Sequence, residues 1–364
     1  MESEPATWIH WPVTLEGQSF ASAEELLAGL AEVGRDWPER ARQEVEKLVR
    51  ELDPKLLVRT SGSTGDPKEM EFSIAQAILS ARATAAALGL KAGDRALLAL
   101  DAEPIGGRMM IVRALGLGLD LSVCAPASIP TRPRAGENFD FCALVPRQLH
   151  ALEANDPDRL ASFGTLVIGG GPVDPDLEAR LAGHPQPIYH TFAMTETLSH
   201  FALRQLNWSQ SYTALPSVET NVDEESRLIV TCPWANESPL LTQDLVEVTG
   251  ANQFIWHGRA DLVINTGGVK VHPEQVEAWL AREFPNRSFA VTSEKDASWG
   301  ERLVLLVEGG ATLDLSNLIA PNPAWVPKRQ VLVAEIPKTR TGKPARAELK
   351  ALLSRMKEGP STIH

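Results

Sequence analysis

Cysteine is scarce and poorly spaced for chemistry. Cys124, Cys142 and Cys232 form an odd set of three, with no Cys-x-x-Cys pair and no Cys/His spacing. That pattern argues against a disulfide framework or a zinc site and reads as buried thiols of a reducing compartment. An excess of basic charge is also missing: 35 Lys and Arg stand against 47 Asp and Glu, a formal net charge of -12 at pH 7. A broad electrostatic grip on nucleic acid or an anionic membrane is therefore not expected, and any anionic ligand must be held locally. No apolar run approaches the ~20 residues that span a bilayer. The opening MESEPATWIHWP carries acids, prolines and tryptophans where a secretory signal has a basic start and an apolar run. Repeats and low-complexity tracts are absent as well. The expectation is a soluble, cytoplasmic protein.

What is present is ordinary globular material: 364 residues, 43% apolar and 23% charged, enough for two or three domains. AEELLAGLAEV and ERARQEVEKLVREL carry apolar residues at helical spacing. Leu56-Leu57-Val58 reads as a short buried strand, followed by a Gly/Ser/Thr loop. FSIAQAILSARATAAALGL then reads as a strong helix, with Ser73 and Gln76 as a capping box and Gly89 near its end. Strand-like runs RALLAL, DLSVCA, DFCALV and TLVIGGG alternate with helical RMMIVRALGLGL and PRQLHALEA, which predicts an α/β domain with a mostly parallel sheet. Between about residues 225 and 257 short strands separated by polar turns predict an antiparallel β subdomain. From about residue 262 a helix, EQVEAWLAREF, strands SFAVTS and RLVLLVEG and a final basic helix predict a small α+β domain. The domains expected are residues 1–260 and 261–364.

Thr60, Ser61, Gly62, Ser63, Thr64, Gly65, Asp66, Pro67 and Lys68 form the most informative segment. Its glycines let backbone N–H groups turn inward, its hydroxyls add neutral donors, and Lys68 adds a charge. Such a concavity suits the β- and γ-phosphates of a nucleotide, although the composition also suits a plain surface loop. It is no Walker A loop, because Pro67 stands where that motif needs glycine.

SGSTGDPK resembles the phosphate-loop signature of the acyl-adenylate-forming superfamily, which includes acyl-CoA synthetases, peptide-synthetase adenylation domains and luciferases. Further matches follow in the family's order. His190 to Thr197, HTFAMTET, resembles the family's YGxTE motif, with Phe192 for Tyr and Ala193 for Gly. The resemblance implies that Phe192 packs on adenine, Thr195 contacts the α-phosphate and Glu196 helps hold Mg²⁺. Leu241-Thr242-Gln243-Asp244 resembles the TGD motif, with Gln243 where glycine is usual, and implies that Asp244 binds the ribose hydroxyls. Residues 258–277, GRADLVINTGGVKVHPEQVE, resemble the hinge motif. There Arg259 would contact ribose, Asp261 would be the hinge, and Gly267, Gly268 and Lys270 would border a thiol tunnel. Residues 336–346, IPKTRTGKPAR, resemble the C-terminal catalytic segment, which makes Lys343 the cation for the substrate carboxylate and α-phosphate.

The resemblance covers nearly the whole chain after residue 55, while much of the usual region before the phosphate loop is missing. It implies ATP, Mg²⁺ and coenzyme A as cosubstrates and cofactors, with a carboxylic acid as substrate. The compact chain, with GRMMIVRA, LVIGGGPVDPDL and MTETLSHFALR, is similar to the short bacterial o-succinylbenzoate–CoA ligases of menaquinone synthesis. An acid of that kind has a second carboxylate. His200, Arg204, Arg108 and Arg147 are candidates to hold it, and Gly169, Gly170 and Gly171 to form a flat wall beside its ring. Another aryl- or small-acid CoA ligase, a loader of carrier proteins and a non-catalytic nucleotide-binding homologue stay open. A homodimer is compatible with the sequence, but nothing in it demands one.

Overall fold

The computed structural model describes residues 7–59, 69–131, 136–206, 208–285, 287–339 and 344–358. The phosphate-loop candidates Thr60, Ser61, Gly62, Ser63, Thr64, Gly65 and Lys68, and the catalytic candidate Lys343, lie outside the described residues.

In chain order the first part contains β1 (Val13–Leu15), β2 (Gln18–Phe20), α1 (Ala23–Val33), α2 (Glu39–Arg50), β3 (Lys55–Arg59), β4 (Glu69–Ser73) and α3 (Ile74–Leu88). Next come β5 (Arg95–Leu98), α4 (Ile105–Leu117), β6 (Asp120–Val123), β7 (Phe139–Leu144), α5 (Pro146–Asn155), α6 (Pro157–Leu160), β8 (Phe163–Ile168) and α7 (Pro175–Arg180). A run of strands follows: β9 (Ile188–Ala193), β10 (His200–Gln205), β11 (Tyr212–Ala214), β12 (Glu219–Val222), β13 (Arg227–Thr231), β14 (Leu240–Gly250) and β15 (Gln253–Arg259). The last part holds β16 (Ile264–Thr266), β17 (Val269–Val271), α8 (Pro273–Glu283), β18 (Phe289–Asp296), β19 (Gly300–Glu308), β20 (Arg329–Val333) and α9 (Arg346–Glu358).

Among the described residues one 13-stranded sheet runs β12-β13-β14-β15-β11-β10-β9-β8-β7-β5-β6-β1-β2. From β1 through β6, β5, β7 and β8 to β9 the pairings are parallel. From β9 onward through β10, β11, β15, β14, β13 and β12 they are antiparallel. The expected antiparallel region therefore exists, but β10 and β11 splice it edge to edge onto the parallel sheet instead of leaving it as a separate subdomain.

Period-two alternation distributes the parallel strands between two faces. Ala96, Leu98, Phe141, Ala143 and Val167 join the core that includes the α3 and α4 residues Ile78, Met109 and Val112. Leu97, Cys142, Leu144, Leu166 and Ile168 join the opposite core, with Leu149 and Leu152 of α5 and Leu177 of α7. Helices cover both faces, as a parallel sheet requires. The apolar run at Leu56–Val58 behaves differently. Leu56 and Val58 are buried, Leu57 is exposed, and β3 pairs only with β4 in a two-stranded hairpin. The expected strand exists, but its burial is confined to one face of a hairpin.

A five-stranded sheet in the order β17-β16-β19-β18, with β20 on β19, contains the strands after Arg259. Its alternation also feeds two cores, one with Val276, Trp279 and Leu280 of α8 and one with Leu349 and Leu353 of α9. A 3₁₀ turn over Ala260–Leu262 links the two sheets. No helix among the described residues is long and apolar enough to cross a membrane.

Candidate active site

Crevices outside the carboxyl ends of parallel strands are where open α/β sheets take ligands. Two such ends, those of β8 and β9, carry Gly169–Gly171 and the segment from Phe192 to Glu196. Phe192 lies edge-on among Tyr212 (5.1 Å), Phe254 (5.3 Å), Phe201 (5.5 Å) and Trp256 (6.4 Å between ring centroids). From Trp256 the chain of contacts continues, because its Nε1–H donates to Asp244 Oδ1 at 2.9 Å. Asp244 is the register partner of Arg259, whose guanidinium grips Asp261 at 2.9 and 2.8 Å. That ion pair, led by the Asp261 hydrogen bond, raises the Arg259 pKa above its usual value. Phe192, Asp244, Arg259 and Asp261 are thereby brought into one connected group. The Thr242–Asp244 motif lies inside strand β14 rather than on a turn, with Asp244 buried and its N–H donating to Thr242 Oγ1 at 3.0 Å.

Thr195 and Glu196 occupy a half-buried 3₁₀ turn, Thr195–Thr197. The next residue, Leu198, holds φ +60° while 1% exposed. A branched side chain in that region is strained, and such strain persists only where the surroundings fix it. No cluster of three His, Cys, Asp or Glu among the described residues could hold a metal by itself. Glu196 can supply a single hard oxygen, which fits Mg²⁺ carried largely by nucleotide phosphates and water.

Residues on either side of the two undescribed motif segments are paired with each other. Arg59 and Glu69, either side of residues 60–68, are register partners. Lys338 and Pro344 form a bridge either side of residues 340–343. At the β16–β17 turn Gly267 and Gly268 take φ +58° and +82°. A Cβ on Gly267 would meet the Trp299 ring at 2.6 Å. Lys270 is exposed there, beside a groove of about 360 Å³ lined by Gly267, Val269, Trp299 and Lys328.

Two of the cations expected for the acyl pocket already have carboxylate partners. Arg204 is clamped by Glu178 at 2.6 and 2.9 Å, so its charge is already used. Arg108 pairs with Glu44 at 2.9 Å and donates to Leu57 O at 3.1 Å, against α2. Arg147 is exposed at the start of α5. His200 is buried and neutral: burial first, then Arg113, push its pKa well below the usual value. Its Nε2–H donates to Thr84 Oγ1 at 3.1 Å, since the Thr84 proton goes to Ser80 O at 2.9 Å.

Beside His200 stands a residue that sequence reasoning missed. Arg113 on α4 is 2% exposed, and its guanidinium makes one long hydrogen bond, 3.3 Å to Ser199 Oγ. Its Nε has no partner, and neither has the hydroxyl of Ser80. No carboxylate among the described residues pairs with it, and burial alone lowers its pKa to about 10. Five residues on an α-helix turn about 140°, which is why Arg108 faces α2 and Arg113 the turn after Glu196. The signal in the sequence was an arginine inside the apolar run MMIVRAL.

Comparison with known proteins identifies the family and the fold. The AMP-binding enzyme family matches residues 10–233, more than half of the chain. An acyl-CoA synthetase (AMP-forming)/AMP-acid ligase II-like protein from Dyadobacter fermentans is 32% identical, covering 87% of this chain and 96% of its own, with a TM-score of 0.59. A 2-succinylbenzoate–CoA ligase from Listeria monocytogenes is 23% identical over 325 residues, 81% of this chain and 69% of that protein. The fold also matches o-succinylbenzoate CoA synthetase from Bacillus subtilis in complex with its acyl-adenylate intermediate, at 20% identity and TM-score 0.69 over 81% of this chain and 68% of that one. The chain belongs to the AMP-binding enzyme family.

Proposed function

We propose that the protein joins a carboxylic acid to the thiol of coenzyme A at the expense of ATP, and that the acid carries a second carboxylate, as o-succinylbenzoate does. Arg113 is the observation that carries the substrate class. A buried guanidinium without an acid costs several kcal/mol, and an incoming carboxylate offsets that cost at the moment of binding. Relatives named 2-succinylbenzoate–CoA ligase support the same choice.

In the first step a carboxylate oxygen of the acid bonds to the α-phosphorus of ATP while the bond to pyrophosphate breaks in line. Positioning and charge stabilisation dominate such a step. Residues 60–68 would hold the β- and γ-phosphates, Thr195 the α-phosphate, Phe192 the adenine, and Asp244 with Arg259 the ribose. Lys343 would neutralise charge between carboxylate and α-phosphate. Glu196 would hold Mg²⁺, which supplies Lewis-acid charge at the phosphates. In the second step the thiol sulfur bonds to the acyl carbon, AMP leaves, and the thiol proton passes to solvent. Residues 1–260 and 261–364 act as two domains in this scheme, turning about Asp261, with the Gly267–Gly268 turn and Lys270 admitting the thiol.

Acid-dependent exchange of pyrophosphate into ATP tests the reading. Replacing Arg113 by Met removes charge-assisted hydrogen bonds worth about 1.5–3 kcal/mol. It should raise the KM for a diacid roughly ten- to hundredfold while leaving the KM for ATP near the wild-type value. An unchanged diacid KM would sink the assignment of Arg113.

A further inference from the structure

The Gly169–Gly171 turn has no side chains of its own to hold it, and Gly170 takes φ +87°. Two consecutive residues of β9 hold it from below. Thr191 Oγ1 donates to Ile168 O at 3.1 Å and leaves only 2.9 Å to where a Cβ of Gly169 would stand. His190 reaches the other end of the turn, with Nε2 at 2.9 Å from Gly171 O. A carbonyl can only accept, so Nε2 carries the proton. In the neutral ring Nδ1 is then an acceptor, and it meets the Tyr212 hydroxyl at 2.6 Å. Tyr212 is itself buried and fixed on both sides. Phe254 stacks on its ring at 5.6 Å, and the Arg204 guanidinium lies over it at 5.7 Å. Glu178 of α7 clamps that guanidinium with two hydrogen bonds. A relay thus runs from α7 through β10 and β11 to one backbone carbonyl of the glycine turn.

We infer that His190 is a positioning residue for the acid substrate: as the neutral Nε2–H tautomer, locked by Tyr212, it sets where the Gly169–Gly171 wall stands. The inference rests on the reading of that turn as part of the acyl pocket. It gives the buried Arg204–Glu178 pair a task that its sequence position does not announce, since the pair orients Tyr212 instead of meeting substrate. It also separates the two ends of the site. Phe192, on the nucleotide side, touches Tyr212 edge-on at 5.1 Å, while His190 meets the Tyr212 hydroxyl.

The test compares His190→Leu with His190→Gln in the full chain, using acid-dependent pyrophosphate exchange. Leu removes both hydrogen bonds, whereas the Gln amide can donate to Gly171 O and accept from Tyr212. Loss of one net hydrogen bond corresponds to about tenfold. His190→Leu should therefore raise the acid KM about tenfold, with the ATP KM within about threefold of wild type, and His190→Gln should restore it. An unchanged acid KM, an equal rise in both KM values, or failure of Gln to rescue would overturn the inference. Nitrogen NMR of the wild-type imidazole gives a readout that needs no turnover. A neutral ring protonated at Nε2 is expected, and an Nδ1–H or charged ring contradicts the clamp. A wild-type protein that shows no exchange with any acid defeats the ligase reading and the acyl-end role together. The imidazole spectrum then still reports whether the clamp itself exists.

Discussion

Arg113 and His200 sit side by side in the interior, and each responds differently to the same low-dielectric setting. The arginine keeps its charge, at a cost to stability, with its pKa lowered only to about 10. The Arg113→Met protein should therefore melt at or above the wild-type temperature even as it loses affinity for a diacid, a trade of stability against function. A melting temperature several degrees lower, measured by calorimetry, would make Arg113 a structural residue. His200 gives up its charge, because burial and the Arg113 cation depress its pKa. A free imidazole titrates near about 6.5. The contribution of neutral His200 to stability is thus complete above that value and is lost as pH falls toward the depressed folded value. Melting temperature should fall between pH 7.5 and 5, and His200→Gln should flatten that fall. An equal slope in both proteins would assign the pH dependence elsewhere. Phe192, Asp244, Arg259 and Asp261 each lie within a local motif, so the sequence could single them out before the contacts that connect them were seen. The settings of Arg113 and His190 were not legible in the sequence, because they are supplied by residues distant in the chain: Ser199 after the 3₁₀ turn for Arg113, and Gly171 and Tyr212 for His190.

Local chemistry decides the elements in the same way. Helix α3 starts where Ser73 and Gln76 form a reciprocal capping box and ends on Gly89 in the left-handed region, as the residues predict. Gln76 does more than cap. Its Nε2 donates to Trp234 O at 3.2 Å and to Asn236 Oδ1 at 3.0 Å, tying the helix to the loop between β13 and β14. Ser73→Ala should cost about 1 kcal/mol in denaturant unfolding. A change below a few tenths would mean that the tie to Trp234, and not the cap, holds the helix start. The strand at Leu56–Val58 forms as the residues predict, but three apolar residues in a row carry no alternation, so the exposure of Leu57 shows only in the hairpin with β4. Strands β9 to β11 were hard to read for a similar reason. They mix His190, Thr191 and Arg204 with aromatics, and those polar residues bond to the Ile168 and Gly171 carbonyls, Tyr212 and Glu178.

At the scale of the molecule the parallel and antiparallel halves of the large sheet bring residues far apart in sequence to one place. Phe192 lies on β9 two residues beyond its last parallel pair, opposite Ala202 of β10, while Asp244 and Arg259 belong to the antiparallel extension, and Trp256 contacts both Phe192 and Asp244. The second sheet begins directly after the Arg259–Asp261 ion pair, so a turn of the small unit about Asp261 has to break or carry that pair. On the two-domain account, Asp261→Pro should slow one half-reaction far more than the other when adenylation and thioester formation are timed separately. Equal loss of both would count against a hinge there. The central claim is a diacid ligase, and the most direct measurement is mass spectrometry of products formed from ATP, Mg²⁺, coenzyme A and a panel of acids with and without a second carboxylate. The account expects AMP together with o-succinylbenzoyl-CoA, or the thioester of a closely related diacid, well above every monoacid product. A preference for monoacids, or no thioester from any acid, would contradict it.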